Sequence, residues 1–164
     1  MNIITLELET ITPLFIAGAD QRNIENEGLR APSLRGLLRW WFRAIIGGMV
    51  SINDLKELES KIFGFTNQKS NIRILGTTDT QPSEINIPSN LRYLWFSLHM
   101  QKRNNQRLQC YPPRTKFKIT LSSHNENSFK IALGCLWTLI YLGGAGARMR
   151  KGAGSLKVNN VSGR

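Results

Sequence analysis

Residues 29–48 read LRAPSLRGLLRWWFRAIIGG, and the interpretation of this stretch decides the first half of the fold. On a helical wheel at about 100° per residue, Leu34, Leu37, Leu38, Trp41, Phe42 and Ile45 gather into one stripe, the mark of an amphipathic helix. Pro32 and Ser33 signal its start, with Ser33 the expected N-cap, and Gly47-Gly48 stop it after Ile46. Arg35, Arg39 and Arg43 form a second stripe beside the first. Upstream, residues 3–11 alternate Ile4, Leu6 and Leu8 with Thr5, Glu7 and Glu9, the period of a half-buried strand. A strand, a polar connection and a helix therefore open the chain.

The remainder extends that pattern. A weaker helical stretch covers about 52–62, and residues 71–75, 92–100 and 116–121 are expected to be strands. Between the last two, residues 101–114 carry Lys102, Arg103, Arg107, Arg114 and Tyr111 and end in Pro112-Pro113, which suggests an exposed basic loop. A helix over 128–142, apolar on most sides and so expected to be buried, leads into a glycine-rich loop and a short last strand at 156–158. The order strand, helix, strand, strand, helix, strand is that of an α+β, ferredoxin-like (RNA-recognition-motif-like) domain. It has an antiparallel sheet, two helices on one face, and insertions, within a single domain over 1–164.

Charge is the informative part of the composition. Lys plus Arg number 22 against 11 for Asp plus Glu, a formal net charge of +11. Such a surplus suggests a polyanionic partner, although an acidic protein surface is an alternative. Cys110 and Cys135 are far apart and lack CxxC or His companions, so neither a disulfide framework nor a zinc site is expected. The opening MNIITLELET is not a secretory signal, and the greasiest run, residues 131–142, is shorter than the ~20 residues of a membrane helix. The expectation is a soluble, cytoplasmic chain with no membrane partner.

Two groups of residues carry candidate chemistry. From Ser33 to Ser51 there is no Asp or Glu, so the Arg35, Arg39, Arg43 row has no acidic companion on its own helix. Unpaired cations at i, i+4 repel one another and suit a polyanion; a solvated helix face is the alternative. Gly36, beside the row, lets another chain approach. Trp40 is a candidate stacking platform or protein contact, whereas Trp41 is expected in the core. The second group is the 143–155 loop, GGAGARMRKGAGS. Glycines such as Gly144 and Gly146 free the backbone to approach phosphate, while Arg148, Arg150 and Lys151 supply charge. A flexible connector is the alternative. No GxxxxGK[ST] occurs, and the loop precedes a strand, so neither a P-loop nor a dinucleotide fingerprint is present and no cofactor is expected. No metal site and no catalytic residue are assigned. His99 and His124 do not pair, the carboxylates are scattered, and Asp20 is the one worth substituting as a check.

TPLFIAGADQRN, followed by LRAPSLRGLLRWWFRAII and closed by GGAGARMRKGAGS, resembles the RAMP superfamily of CRISPR-associated proteins. Within it, the match is to the family of first subunits of the type III-B Cmr effector complex. The resemblance implies a non-catalytic RNA-binding subunit in antiviral defence, contacting guide RNA or a guide–target RNA duplex beside other Cmr subunits. It places RNA contacts on the basic helix and the glycine-rich loop. Members usually carry two ferredoxin-like units and this sequence ends about ten residues past its one loop. A split half, a fragment or an abbreviated member is therefore expected, with a second half in trans as a candidate partner. A processing ribonuclease of the same superfamily, using His99 or His124, and a protein-interaction module are the rival readings.

Overall fold

The computed structural model describes residues 1–16, 29–96, 98 and 109–163. In chain order the elements are β1 (Asn2–Thr10), α1 (Ala31–Ile46), α2 (Ile52–Phe63), β2 (Ile72–Thr77), β3 (Ser83–Glu84), β4 (Gln109–Cys110), β5 (Lys116–Ser123), α3 (Glu126–Tyr141) and β6 (Leu156–Gly163). Four strands form an antiparallel sheet in the order β2-β5-β1-β6, and β3 and β4 make a separate two-stranded ribbon. With β1, β2, β5 and β6 as the four core strands and α1 and α3 as the two crossovers, this is the expected ferredoxin-like topology. α2 and the ribbon are insertions.

The period-2 pattern decides which face is dry. Leu6 and Leu8 of β1 and Phe117, Ile119 and Leu121 of β5 point toward the helices. They meet Leu34, Leu38 and Phe42 of α1 and Ala132, Cys135, Leu136 and Leu139 of α3 in one core. The opposite face is polar: Thr5 and Thr120 share a hydrogen bond at 3.0 Å, and Lys118 reaches Glu7 at 3.6 Å. Registers fix the two ends of the sheet. Glu9 pairs with Lys116, Thr10 with Leu156 and Thr77 with Lys118, so the end of β1, the end of β2 and the start of β6 lie together. Leu29, just before α1, lies against Gly76 at that same end, where a Cβ would overlap the Leu29 carbonyl.

Several expectations require correction. Helix α1 starts earlier than read: its N-cap is Arg30, not Ser33, and no side chain caps it. Pro32 explains this, because it sits in the first turn, where its missing N–H removes a donor that would otherwise need a cap. Residues 92–96 and 98 are not a strand. A 3₁₀ turn at Ser89–Leu91 runs on into turn and helical backbone, with Trp95 N–H donating to Leu91 O at 3.1 Å and Leu98 N–H to Trp95 O at 3.0 Å. His99 of that stretch lies outside the described residues. Tyr111 is not on an exposed loop but buried, edge-on to Phe117 with centroids 5.2 Å apart. Of the 101–114 basic loop, Lys102, Arg103 and Arg107 fall outside the described residues. Helix α3 is not buried on most sides: Trp137, Tyr141 and the following Leu142 are all more than half exposed. Strand β6 runs five residues beyond the expected 158.

Candidate nucleic-acid interface

The arginine row resolves into three different environments because α2 folds back antiparallel along α1. A Cβ at Gly47 would lie 3.6 Å from Leu55, Arg43 meets Glu59, and Arg39 meets the end of α2 at Phe63. Arg43 donates from Nε and Nη2 to the two carboxylate oxygens of Glu59, both at 2.6 Å, a bidentate pair. Hydrogen bonding to Glu59 raises the Arg43 pKa above its ordinary value. Arg39 donates to the carbonyls of Phe63, at 3.3 Å, and Gly64, and its Nε lies 3.7 Å from Glu59. The row is therefore not free of carboxylate, although its own helix is. Arg35 has no hydrogen-bond or ion-pair partner among the described residues, and its Nε is buried.

Trp40 is 49% exposed and stands edge-on to Trp41, with centroids 4.9 Å apart. Trp41 packs against the core, as expected, but only partly buried. The sequence gives Gly143 a packing reason here: a Cβ would lie 2.8 Å from the Trp41 ring.

The glycine-rich loop has a hydrogen-bonded interior. The N–H groups of Ala145, Ala147 and Gly154 donate to the carbonyls of Gly154, Phe15 and Pro13, and Ser155 N–H donates to Thr12 Oγ1. Those of Lys151, Gly152 and Ala153 are used within the loop itself. The TPLF segment at 12–15 and the glycine-rich loop thus interlock as one unit. Gly146, at φ +81°, and Gly154, at φ +67°, permit this close approach: added Cβ atoms would overlap the carbonyls of Phe15 and Ala145. Gly144 is buried, with a Cβ position 3.0 Å from Gly154 O. Close packing inside the protein is thus one reason for glycine at these positions.

The loop carries its cations outward. Arg148 adopts the left-handed conformation at φ +62° and places its guanidinium 5.6 Å from the Phe96 ring centroid. The next three residues, Met149–Lys151, form a 3₁₀ turn, and Trp95 Nε1–H donates to Lys151 O at 3.1 Å. Trp95 itself is anchored edge-on to Phe15, with centroids 5.4 Å apart. Sequence reading missed Trp95, whose signal was its helical spacing from Leu91 and Leu98. Arg150 and Lys151 are exposed, without an acidic partner among the described residues.

Sheet order places the two cationic groups. The start of α1 lies against β2, while the loop sits at β1 and β6, so both occupy one end of the sheet. In the sheet order they stand over strands two to three positions apart. His124 follows β5 at the opposite end, where Ser123 pairs with Asn2. Asp20 lies outside the described residues. Among the described residues there is no group of three or more His, Cys, Asp and Glu placed to hold a metal, and no helix long and apolar enough to cross a membrane. Burial pushes both thiols, Cys110 and Cys135, up to about 11.

Comparison with known proteins identifies the family. A family model described as the RAMP superfamily matches residues 7–157. The chain is 34% identical over 168 residues to the CRISPR system Cmr subunit Cmr1-1 of Pyrococcus furiosus, a match covering 99% of this chain and 49% of that protein. It is 38% identical over 176 residues to Cmr1-2 of the same organism, covering 93% and 92% respectively. A crystal structure of Cmr1 from Pyrococcus furiosus, in the apo form, aligns with a TM-score of 0.85 at 34% identity, over 99% of this chain and 50% of that one. The chain thus spans about half the length of Cmr1-1 and nearly all of Cmr1-2. By sequence, topology and the interlocked TPLF and glycine-rich segments, it belongs to the RAMP superfamily, with the Cmr1 subunits of the CRISPR Cmr system.

Proposed function

We propose that this chain is a non-catalytic RNA-binding subunit of a type III-B Cmr effector complex, gripping the backbone of guide RNA or of a guide–target duplex. The observation that carries this reading is the pair of cationic groups at one end of the sheet: Arg35 on α1, and Arg150 and Lys151 on the closed turn. Neither group is neutralised by a carboxylate among the described residues. Unpaired cations held on rigid elements repel one another and gain by displacing counterions from a phosphate chain. Arg148, beside the Phe96 ring, precedes that turn on the same loop, and Arg39 and Arg43 follow Arg35 on α1, tied to α2. Trp40, half exposed at the side of α1, is a further base or subunit contact. Gly144 and Gly146 shape the loop that presents these cations.

The partners of this reading are guide RNA, target RNA, other Cmr subunits and, given that Cmr1-1 is about twice as long, a second ferredoxin-like unit in trans. The test is a salt titration of single-stranded RNA binding. Each phosphate contact contributes a slope of about −0.7 in log affinity against log salt, so replacing both Arg150 and Lys151 by alanine should flatten the slope by about 1.4. Salt-independent binding, or an unchanged slope in the double variant, would overturn the proposal.

A further inference from the structure

A cleft of about 410 Å³ opens between the first half of α1 and the turn that follows α2. Its wall includes Arg35 and Arg39, its floor is the backbone at Gly36, and Phe65 and Gln68 stand on the far side. An added Cβ at Gly36 would meet nothing within 4 Å, so this part of α1 is open to another molecule. No carboxylate among the described residues lines the cleft. Arg39 is already committed to the carbonyls of Phe63 and Gly64 and to Glu59, and acts as a fixed positive wall. Arg35 is not committed among the described residues: its Nε–H is buried there with no acceptor, an unusual state that an incoming anion relieves.

Phe65 is the second, independent feature. It is 68% exposed, yet it does not sit on a loose loop. Its N–H donates to Gln68 O at 2.8 Å and its carbonyl accepts from Gln68 N–H at 3.0 Å, closing a turn with only Thr66 and Asn67 at the tip. Gly64, at φ +84°, makes the turn possible at the end of α2. An exposed ring held on a closed turn beside an unpaired guanidinium has the two elements that recognise a nucleotide: a face for the base and a forked donor for phosphate. The volume lies within the range of small-ligand sites.

We infer that this cleft receives one nucleotide of a bound RNA strand, turned out of the stack, with its base on Phe65 and its phosphate on Arg35. The inference rests on the RNA-binding reading above but adds a discrete site that the cationic loop alone does not provide.

The test uses the full chain and single-stranded RNAs carrying 2-aminopurine at successive positions. One position should show fluorescence quenched on binding in the native protein and not in Phe65→Ala, whose exposed ring can be removed without touching the core. Phe65→Ala and Phe65→Leu should weaken binding roughly 5- to 100-fold, as expected for loss of one stacked base, and Phe65→Tyr should retain it. Arg35→Gln should weaken binding and flatten the salt slope by about 0.7. If RNA binds with its full salt dependence but Phe65→Ala and Arg35→Gln leave affinity and quenching unchanged, the cleft assignment is wrong and the backbone reading stands. If a free mononucleotide fills the cleft while oligonucleotide binding ignores Phe65, the site serves a small molecule and the strand assignment is overturned. Absence of any RNA binding removes both readings together.

Discussion

Alanine substitutions at Gly152 and Gly154 separate two roles that a glycine-rich loop can play. Both residues have positive φ, +79° and +67°, so a side chain at either incurs the left-handed penalty of about 1–2 kcal/mol. Loss of glycine's freedom in the unfolded chain offsets ~0.4–1 kcal/mol of that. At Gly152 nothing lies within 4 Å of the added Cβ, so Gly152→Ala should lose about 1.5 kcal/mol or less. At Gly154 the Cβ would overlap the carbonyl oxygen of Ala145 and stand 3.2 Å from Leu14 Cδ1. Relief requires the loop to open, which breaks the Ala145–Gly154 bond at 2.9 Å and the Gly154–Pro13 bond at 2.9 Å. Each buried backbone group left without a partner costs about 1–3 kcal/mol, so Gly154→Ala should lose about 3–5 kcal/mol in all. For a chain of this size that is a fall in Tm of about 6–20 °C, against less than about 6 °C for Gly152→Ala. Thermal and urea unfolding followed by circular dichroism give both values. If the two variants agree within about 1 kcal/mol, the glycines do not serve internal packing as described here.

Three further outcomes follow from the same structure. Glu59→Gln should destabilise by about 1–2 kcal/mol, more than Arg43→Gln, because Glu59 is buried and serves two arginines while the Arg43 side chain is 58% exposed; equal losses in urea unfolding would contradict the shared role. Arg35→Met should leave stability unchanged or raise it by roughly 0.2–0.5 kcal/mol, since it removes an i, i+4 repulsion with Arg39 at similar helix propensity, while RNA affinity falls; a clear loss of stability would mean that Arg35 is structural. Cys110 and Cys135, raised by burial to about 11, should resist thiol reagents at pH 8 until denaturant is added. Above pH 9 the unfolded thiols lose protons that the folded ones keep, so stability falls between about pH 9 and 11 by up to ~3 kcal/mol per thiol. Cys→Ala variants should flatten that decline, and rapid stoichiometric labelling of the native protein would refute it.

The parts of the fold legible in the sequence are those written in a single period. Leu6 and Leu8, then Phe117, Ile119 and Leu121, alternate cleanly, and α1 carries one apolar stripe, so the core strands and helices could be assigned. The 92–98 stretch was misread because apolar residues fill both periods. Leu91, Trp95 and Leu98 are inward at helical spacing, while Tyr93, Leu94 and Phe96 are exposed between them and imitate a continuous strand. Glu59 could not be matched to Arg43 because their pairing depends on the α1–α2 turn geometry, sixteen residues of separation that no spacing rule covers. Glycine in the 143–155 loop signalled close approach but not what approaches. The answer, the TPLF backbone, lies some 130 residues upstream. Phe65 was passed over for a related reason: only the backbone bonds to Gln68 distinguish a presented ring from an ordinary surface phenylalanine.

The formal charge of +11 is a poor guide to where the protein attracts anions, and α1 shows why. The antiparallel register with α2 supplies a single carboxylate, opposite Arg43, and the carbonyl end of α2 opposite Arg39. Those carbonyls are the negative pole of the α2 dipole, so Arg39 is compensated by a helix end much as Arg43 is by Glu59. Among the described residues, compensation therefore declines along α1 from Arg43 to Arg35, toward the end where the helix's own dipole is positive. That end is also the one that strand register brings beside the Arg150 and Lys151 turn. Equal charges in the sequence thus become unequal in the fold: substituting Arg43 should chiefly change stability, and substituting Arg35 should chiefly change RNA affinity and its salt dependence. A regular row of arginines need not have one function, because the element that packs beside it decides which of its members remain available.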